Sequence, residues 1–96
     1  MKISDLAVII DSLERPDGDI DVSDLAYDSR QAKPGSVFFA VPGIQVDGYQ
    51  FIDQAVENGA IAVVVERLRD DLASSIIQLK VEDSRRALAQ ASDKFF

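Results

Sequence analysis

The chain contains no cysteine and no histidine. Without cysteine there is no disulfide, no thiolate nucleophile and no thiolate metal ligand. Without histidine, imidazole general-base chemistry and the usual zinc sites are excluded. A basic surface is missing too: 10 Lys and Arg stand against 17 Asp and Glu, a net charge of −7. That balance gives no long-range attraction for nucleic-acid phosphates and argues against a nucleic-acid partner. An acidic chain can still bind an anion, but only locally, through backbone N–H groups, hydroxyls and one or two placed cations. No apolar run approaches the length of a membrane span, so no membrane partner is expected. The opening MKISDLAVIIDSLER sets a short apolar segment between acidic residues. It lacks the basic start and small-residue cleavage site of a signal peptide.

What remains is 96 residues, 47% hydrophobic, enough for one domain, residues 1–96, with a modest core. The stretch from Asp28 to Ala60 organises it. That stretch holds Pro34 and Pro42 of the three prolines, and Gly35, Gly43, Gly48 and Gly59 of the five glycines. It reads as loop, strand, loop, helix, turn. Its two loops, Asp28–Gly35 and Pro42–Gly48, flank one short strand, so both can build the same pocket.

Hydrophobic periodicity predicts a helix over 4–14, with Ser4 as N-cap and Leu6, Ile9, Ile10 and Leu13 as its buried face. Weak alternation predicts a broken or bulged strand over 19–27. SVFFAV at 36–41 and IAVVV at 61–65 are apolar runs suited to strands covered on both faces. Between them, 49–58 is helical, with Phe51, Ile52, Ala55 and Val56 on one face and Asn58-Gly59 as its stop. This is a βαβ unit. Residues 66–75 read as a charged loop or short helix, and 76–81 as a further strand. Asp83 can cap a last helix over 84–96, with Leu88, Ala91 and Phe95 on one face. That helix meets the end of the sequence without a stop signal, which suggests a chain cut from a longer one.

Most catalytic constellations are missing. Neither the phosphate-cradling G-x-x-x-x-G-K-[ST] nor the nucleophile elbow G-x-S-x-G occurs. Asp17, Asp19, Asp21 and Asp24 lie close together, but their spacing fails a calcium loop and suits solvated turn and strand carboxylates. Asp28 suits an Asx turn and Asp47 a helix cap. Ser29 and Arg30 offer a hydroxyl and a guanidinium that can meet a phosphate or a pyrimidine edge. They equally suit a turn serine and a surface arginine paired with an aspartate. Gly43 lets a ligand approach the backbone or simply stops a strand. Tyr27 can stack on a base or cover the sheet edge. No catalytic and no metal-ligating residue is assigned.

The string DSRQAKPGSVFFAVPGIQVDGYQFIDQAVENGAIAVVVE carries a more specific signal. Asp28-Ser29-Arg30, Pro34-Gly35, Phe38, Ala40, Gly43, Asp47-Gly48, Phe51, Ala55 and Gly59-Ala60 resemble, in order and spacing, the N-terminal domain of the Mur ligases. The lead-in helix and the closing VEDSRRALAQASDKFF are similar to the same domain, with the MurE type the nearest match and the MurF type its competitor. The resemblance implies a three-layer α/β/α fold with a small mixed sheet built from 19–27, 36–41, 61–65 and 76–81. It implies the first domain of a bacterial, cytoplasmic, ATP-dependent ligase of peptidoglycan synthesis. That domain holds the UDP end of UDP-N-acetylmuramoyl-L-Ala-D-Glu while meso-diaminopimelate or L-Lys is added as the third peptide residue. Carried onto this chain, the substrate contacts fall on Tyr27, Ser29, Ile44, Gln45 and Val46, with Arg30 and Gly43 as motif positions that can serve the loop instead. The family's ATP loop, carbamylated lysine and magnesium ligands have no counterpart in these residues. ATP and Mg²⁺ are therefore expected in the parent enzyme, beside its own central and C-terminal domains, and no cofactor in this chain. A free-standing binding or interaction module is the alternative from a different class.

Overall fold

A computed structural model describes residues 1–16, 20–42 and 48–95. Its centre is a four-stranded sheet of β1 (Asp24–Ala26), β2 (Ser36–Phe39), β3 (Ala62–Val65) and β4 (Ile77–Lys80), in the order β1-β2-β3-β4. Among the described residues three helices accompany it: α1 (Ile3–Ile9), α2 (Ile52–Glu57) and α3 (Ser84–Phe95). Short 3₁₀ turns at Ser29–Gln31 and Gly48–Phe51 complete the regular structure.

All three ladders are parallel. The sheet is therefore parallel throughout and not mixed as expected; the one antiparallel bridge among the described residues, Lys2 with Asp21, lies outside its strands. The predicted strand over 19–27 divides accordingly. Residues near 21 pair with the N-terminus, where Val22 N–H donates to the Met1 carbonyl at 2.8 Å, and only 24–26 join the main sheet.

Parallel strands must be covered on both faces, and alternation along β2 and β3 provides for it. Val37, Phe39, Ala62 and Val64 face a core shared with Leu6 of α1, Ile10 just past its end, and Ala87 and Ala91 of α3. Phe38, Val63 and Val65 face the other way, onto Ile52 and Ala55 of α2. The result is the expected three-layer α/β/α arrangement. Ala32, Leu72 and Ile76 join the α2-side core, so each of the three strand-to-strand connections places described residues on that face. Helix α3 packs as expected, with Leu88 and Phe95 partly buried against the first core.

Helix α1 is shorter than its periodicity predicts. Asp11 takes φ 56°, the left-handed region. Its N–H donates to the Val8 carbonyl and the Ser12 N–H to Ala7, the paired bonds of a Schellman stop. Leu13 consequently falls off the helix and is 80% exposed. The N-cap is Lys2 rather than Ser4. Past the stop, the Glu14 carboxylate accepts from the Lys80 N–H at 2.6 Å, covering the free edge of β4.

Candidate functional site

In a parallel sheet the strand ends that carry ligands are the carboxyl ends. A cleft of about 500 Å³ lies there, beyond β1 and β2. Tyr27 follows β1 directly and is 67% exposed. Ser29 and Arg30 come from the 3₁₀ turn that follows. Phe38 of β2 lies beneath, and Phe51 and Gln54 reach in from the α2 side.

Asp28 builds the first wall. Its Oδ1 accepts from the Arg30 backbone N–H at 3.0 Å, an Asx turn that opens the 3₁₀ turn. The Arg30 guanidinium then bonds both carboxylate oxygens, Nε to Oδ1 at 3.0 Å and Nη2 to Oδ2 at 2.7 Å. The hydrogen bonds from the Arg30 side chain, then that from its backbone, bring the Asp28 carboxyl down to about 2. Arg30 is thus committed to its own turn. Ser29 is buried. Its Oγ donates to Gln54 Oε1 at 2.7 Å, and its carbonyl accepts from Asn58 Nδ2 at 2.9 Å. Two side chains of the α2 region therefore hold the turn.

Gly48 closes the cleft from the second loop. Its N–H donates to the Val41 carbonyl at 3.1 Å. A Cβ at position 48 would stand 2.7 Å from the Val41 nitrogen, so only glycine fits. Gly43, Ile44, Gln45 and Val46, four of the predicted contact positions, lie outside the described residues, as does Asp47. The cleft brings together Tyr27, Ser29 and Arg30, the predicted positions of the first loop. It adds Phe51 and Gln54, to which the sequence alone gives no site role. Gln54 stands off the apolar face of α2, and only its spacing from Asn58, one helical turn away, hints that both face the same neighbour.

The rest of the described surface is organised differently. Arg69, with its side chain 15% exposed, pairs with Asp53 at 3.0 Å and Asp71 at 2.8 Å. These bonds raise its pKa and lower that of Asp71. They pin the 66–76 connection to α2, and Arg67 stacks on Tyr49 at 4.3 Å. Asp21, at the bridge, and Asp24, the first residue of β1, pair with Lys2 and Lys33. A second cleft, of about 550 Å³, lies at the carboxyl ends of β3 and β4. It contains none of the predicted contacts, and its Glu66 is taken up by the Ser84 N–H and hydroxyl at 2.9 and 2.8 Å. Among the described residues no three carboxylates gather to hold a metal ion, and no helix is long and apolar enough to cross a membrane.

These features define a small parallel α/β domain with a loop-built cleft at the carboxyl edge of its sheet. Residues 21–96 match the family model described as Mur ligase family, catalytic domain. The chain belongs to the Mur ligase family. It is similar to the UDP-N-acetylmuramoyl-L-alanyl-D-glutamate–2,6-diaminopimelate ligase of Alkaliphilus metalliredigens, 37% identical over 97 residues, covering 100% of this chain and 19% of that protein. The ligase of the same name from Geobacillus thermodenitrificans is 47% identical over 79 residues, 82% of this chain and 16% of that protein. Among solved structures it is similar to MurF of Acinetobacter baumannii, with TM-score 0.78 and 31% identity over 93% of this chain and 19% of that one. MurF ligase of Thermotoga maritima in complex with ADP matches with TM-score 0.63 and 33% identity, over 81% of this chain and 18% of that one. The chain thus spans about a fifth or less of the length of these relatives.

Proposed function

We propose that this chain is the first, substrate-holding domain of a longer ATP-dependent Mur ligase, and that its cleft holds the uridine end of UDP-N-acetylmuramoyl-L-Ala-D-Glu. The observation that carries this reading is the convergence of Tyr27, Ser29, Phe51 and Gln54 on one cleft at the carboxyl ends of β1 and β2. Such a cleft offers aromatic faces for a base, and a hydroxyl and an amide for its edge. The reaction proposed for the parent enzyme activates a carboxylate as an acyl phosphate, which the amine of the incoming amino acid attacks. A domain that anchors substrate far from that carboxylate needs no nucleophile or base of its own. Its binding energy serves to position the reacting end. This chain offers ATP and Mg²⁺ no phosphate loop, so no step of that chemistry is placed on it.

The relatives named for diaminopimelate addition support the MurE-type reading, with addition of the third peptide residue. The likeness to MurF structures at 31% identity favours a second reading, a ligase that adds D-alanyl-D-alanine. The full-length protein decides between them: incubated with ATP and each acceptor, it should join diaminopimelate or L-lysine and leave D-alanyl-D-alanine untouched. The gene beyond Phe96 separates both from a free-standing module. A G-T-N-G-K-T-type loop opening a helix within about 30 residues supports the ligase. The 96-residue chain alone should bind UDP weakly, at ~mM or about −4 kcal/mol, and should not hydrolyse ATP. We place the parent enzyme in the bacterial cytoplasm, where its nucleotide substrates would be found.

A further inference from the structure

We infer that Gln54 is a specificity-determining residue of the cleft. Through its bond to Ser29 it sets a hydrogen-bond polarity that accepts uracil and rejects cytosine. This inference rests on the uridine reading above.

A hydroxyl has one proton to give. The Ser29 Oγ proton goes to Gln54 Oε1, 2.7 Å away. The hydroxyl then has only lone pairs to offer a ligand. The same bond occupies the Gln54 carbonyl and leaves its amide NH₂ as the group available to the cleft that both residues line. The pair can then offer a ligand an acceptor, Ser29 Oγ, and a donor, Gln54 Nε2. The imide edge of uracil is the complement: an N3–H donor flanked by carbonyl acceptors. Cytosine presents a bare N3 acceptor where uracil has its N–H, so lone pair would meet lone pair at Ser29.

A purely structural role for the pair would be to fasten the first loop to α2. Asn58 already does this, with its Nδ2 on the Ser29 carbonyl at 2.9 Å. The two residues therefore separate the two roles. Gln54 acts on the face of Ser29 that lines the cleft, and Asn58 on its backbone.

The test is a titration of the ¹⁵N-labelled chain with UDP, CDP and N3-methyl-UDP, read from the amide shifts of residues 27–30 and 48–54. UDP should bind at least about tenfold more tightly than the other two, since each leaves the Ser29 acceptor unpaired. Gln54→Leu frees the Ser29 hydroxyl to donate or accept and should bring UDP and CDP to equal affinity, with N3-methyl-UDP still the weaker. Asn58→Ala should weaken all three and keep their ratio. Equal binding of UDP and CDP by the unaltered chain, with shifts still in the cleft, would overturn the inference and leave the uridine site standing. No cleft shift with any nucleotide would overturn both. The comparison within the unaltered chain needs no variant to fold.

Discussion

The Arg30 guanidinium holds both carboxylate oxygens of Asp28 while the Arg30 backbone N–H holds one of them. Two residues of the Asp28-Ser29-Arg30 motif thus bind each other around Ser29, and all three line the cleft. The pair fixes the 3₁₀ turn that carries Ser29. The Asp28 carboxylate balances the charge of this guanidinium and takes two of its five N–H donors, which weakens its pull on a ligand phosphate. Arg30→Lys should loosen the turn, because an ammonium cannot reproduce the fork, and should weaken UDP binding without changing base preference.

The same pair has a pH signature. The Asp28 carboxyl lies at about 2, below its ordinary 3.8, because it accepts hydrogen bonds from Arg30. A depressed value in the folded state favours folding whenever the carboxylate is charged. That contribution is complete above the ordinary value and is lost as pH falls through about 2. A carboxyl ¹³C titration of Asp28 should give a midpoint of about 2, moving up towards the ordinary range in Arg30→Gln. A midpoint of 3.8 in the unaltered chain would contradict the pairing.

Gly59 joins the α2 side of the site to the first loop. It has φ +111°, and a Cβ there would stand 2.7 Å from Pro34 Cα. Gly59→Ala combines backbone strain with a clash against backbone, and should destabilise by roughly 2 kcal/mol or more in urea unfolding. Asn58→Ala at the neighbouring position removes one hydrogen bond to Ser29 and should cost only about 1 kcal/mol.

Phe51 is 37% exposed at the cleft, whereas Phe38 beneath it is buried in the core. The two should part company on truncation. Phe51→Ala should leave stability nearly unchanged and weaken UDP binding by about 1–3 kcal/mol, the worth of stacking on a base. Phe38→Ala should cost about 3–5 kcal/mol of stability. Thermal unfolding and the UDP titration, run on both variants, measure the two quantities separately.

Glu66 follows β3 and receives both the N–H and the hydroxyl of Ser84, which is fully buried. It anchors the start of α3, alongside the Asp83 cap on the N–H groups of Arg85 and Arg86. Glu66→Ala strands a buried hydroxyl and should destabilise by about 1–3 kcal/mol, with no effect on nucleotide binding at the other end of the sheet edge.

The strands were legible where apolar runs are continuous. SVFFAV and IAVVV mark β2 and β3 to within two residues of their observed ends, because burial on both faces leaves no polar position to blur the signal. The end of α1 was not legible. Asp11 takes the left-handed position that glycine usually fills, and nothing in its chemistry marks it among the chain's other aspartates. Strand direction was legible only in the βαβ unit. The pairing of 20–22 with the N-terminus is a long-range contact that alternation cannot foretell. The first loop was found through Asp28-Ser29-Arg30. Gln54 escaped because a polar residue off the apolar face of a helix ordinarily faces water, and its partner Ser29 lies 25 residues away.

The central claim is that the cleft beyond β1 and β2 holds a uridine nucleotide, and amide shifts of the labelled chain during a UDP titration test it most directly. The account predicts saturating shifts, at ~mM UDP, at residues 27–30 and 43–54. Shifts confined to the second cleft, around Glu66 and Lys80–Arg86, or no shifts at all, would contradict it.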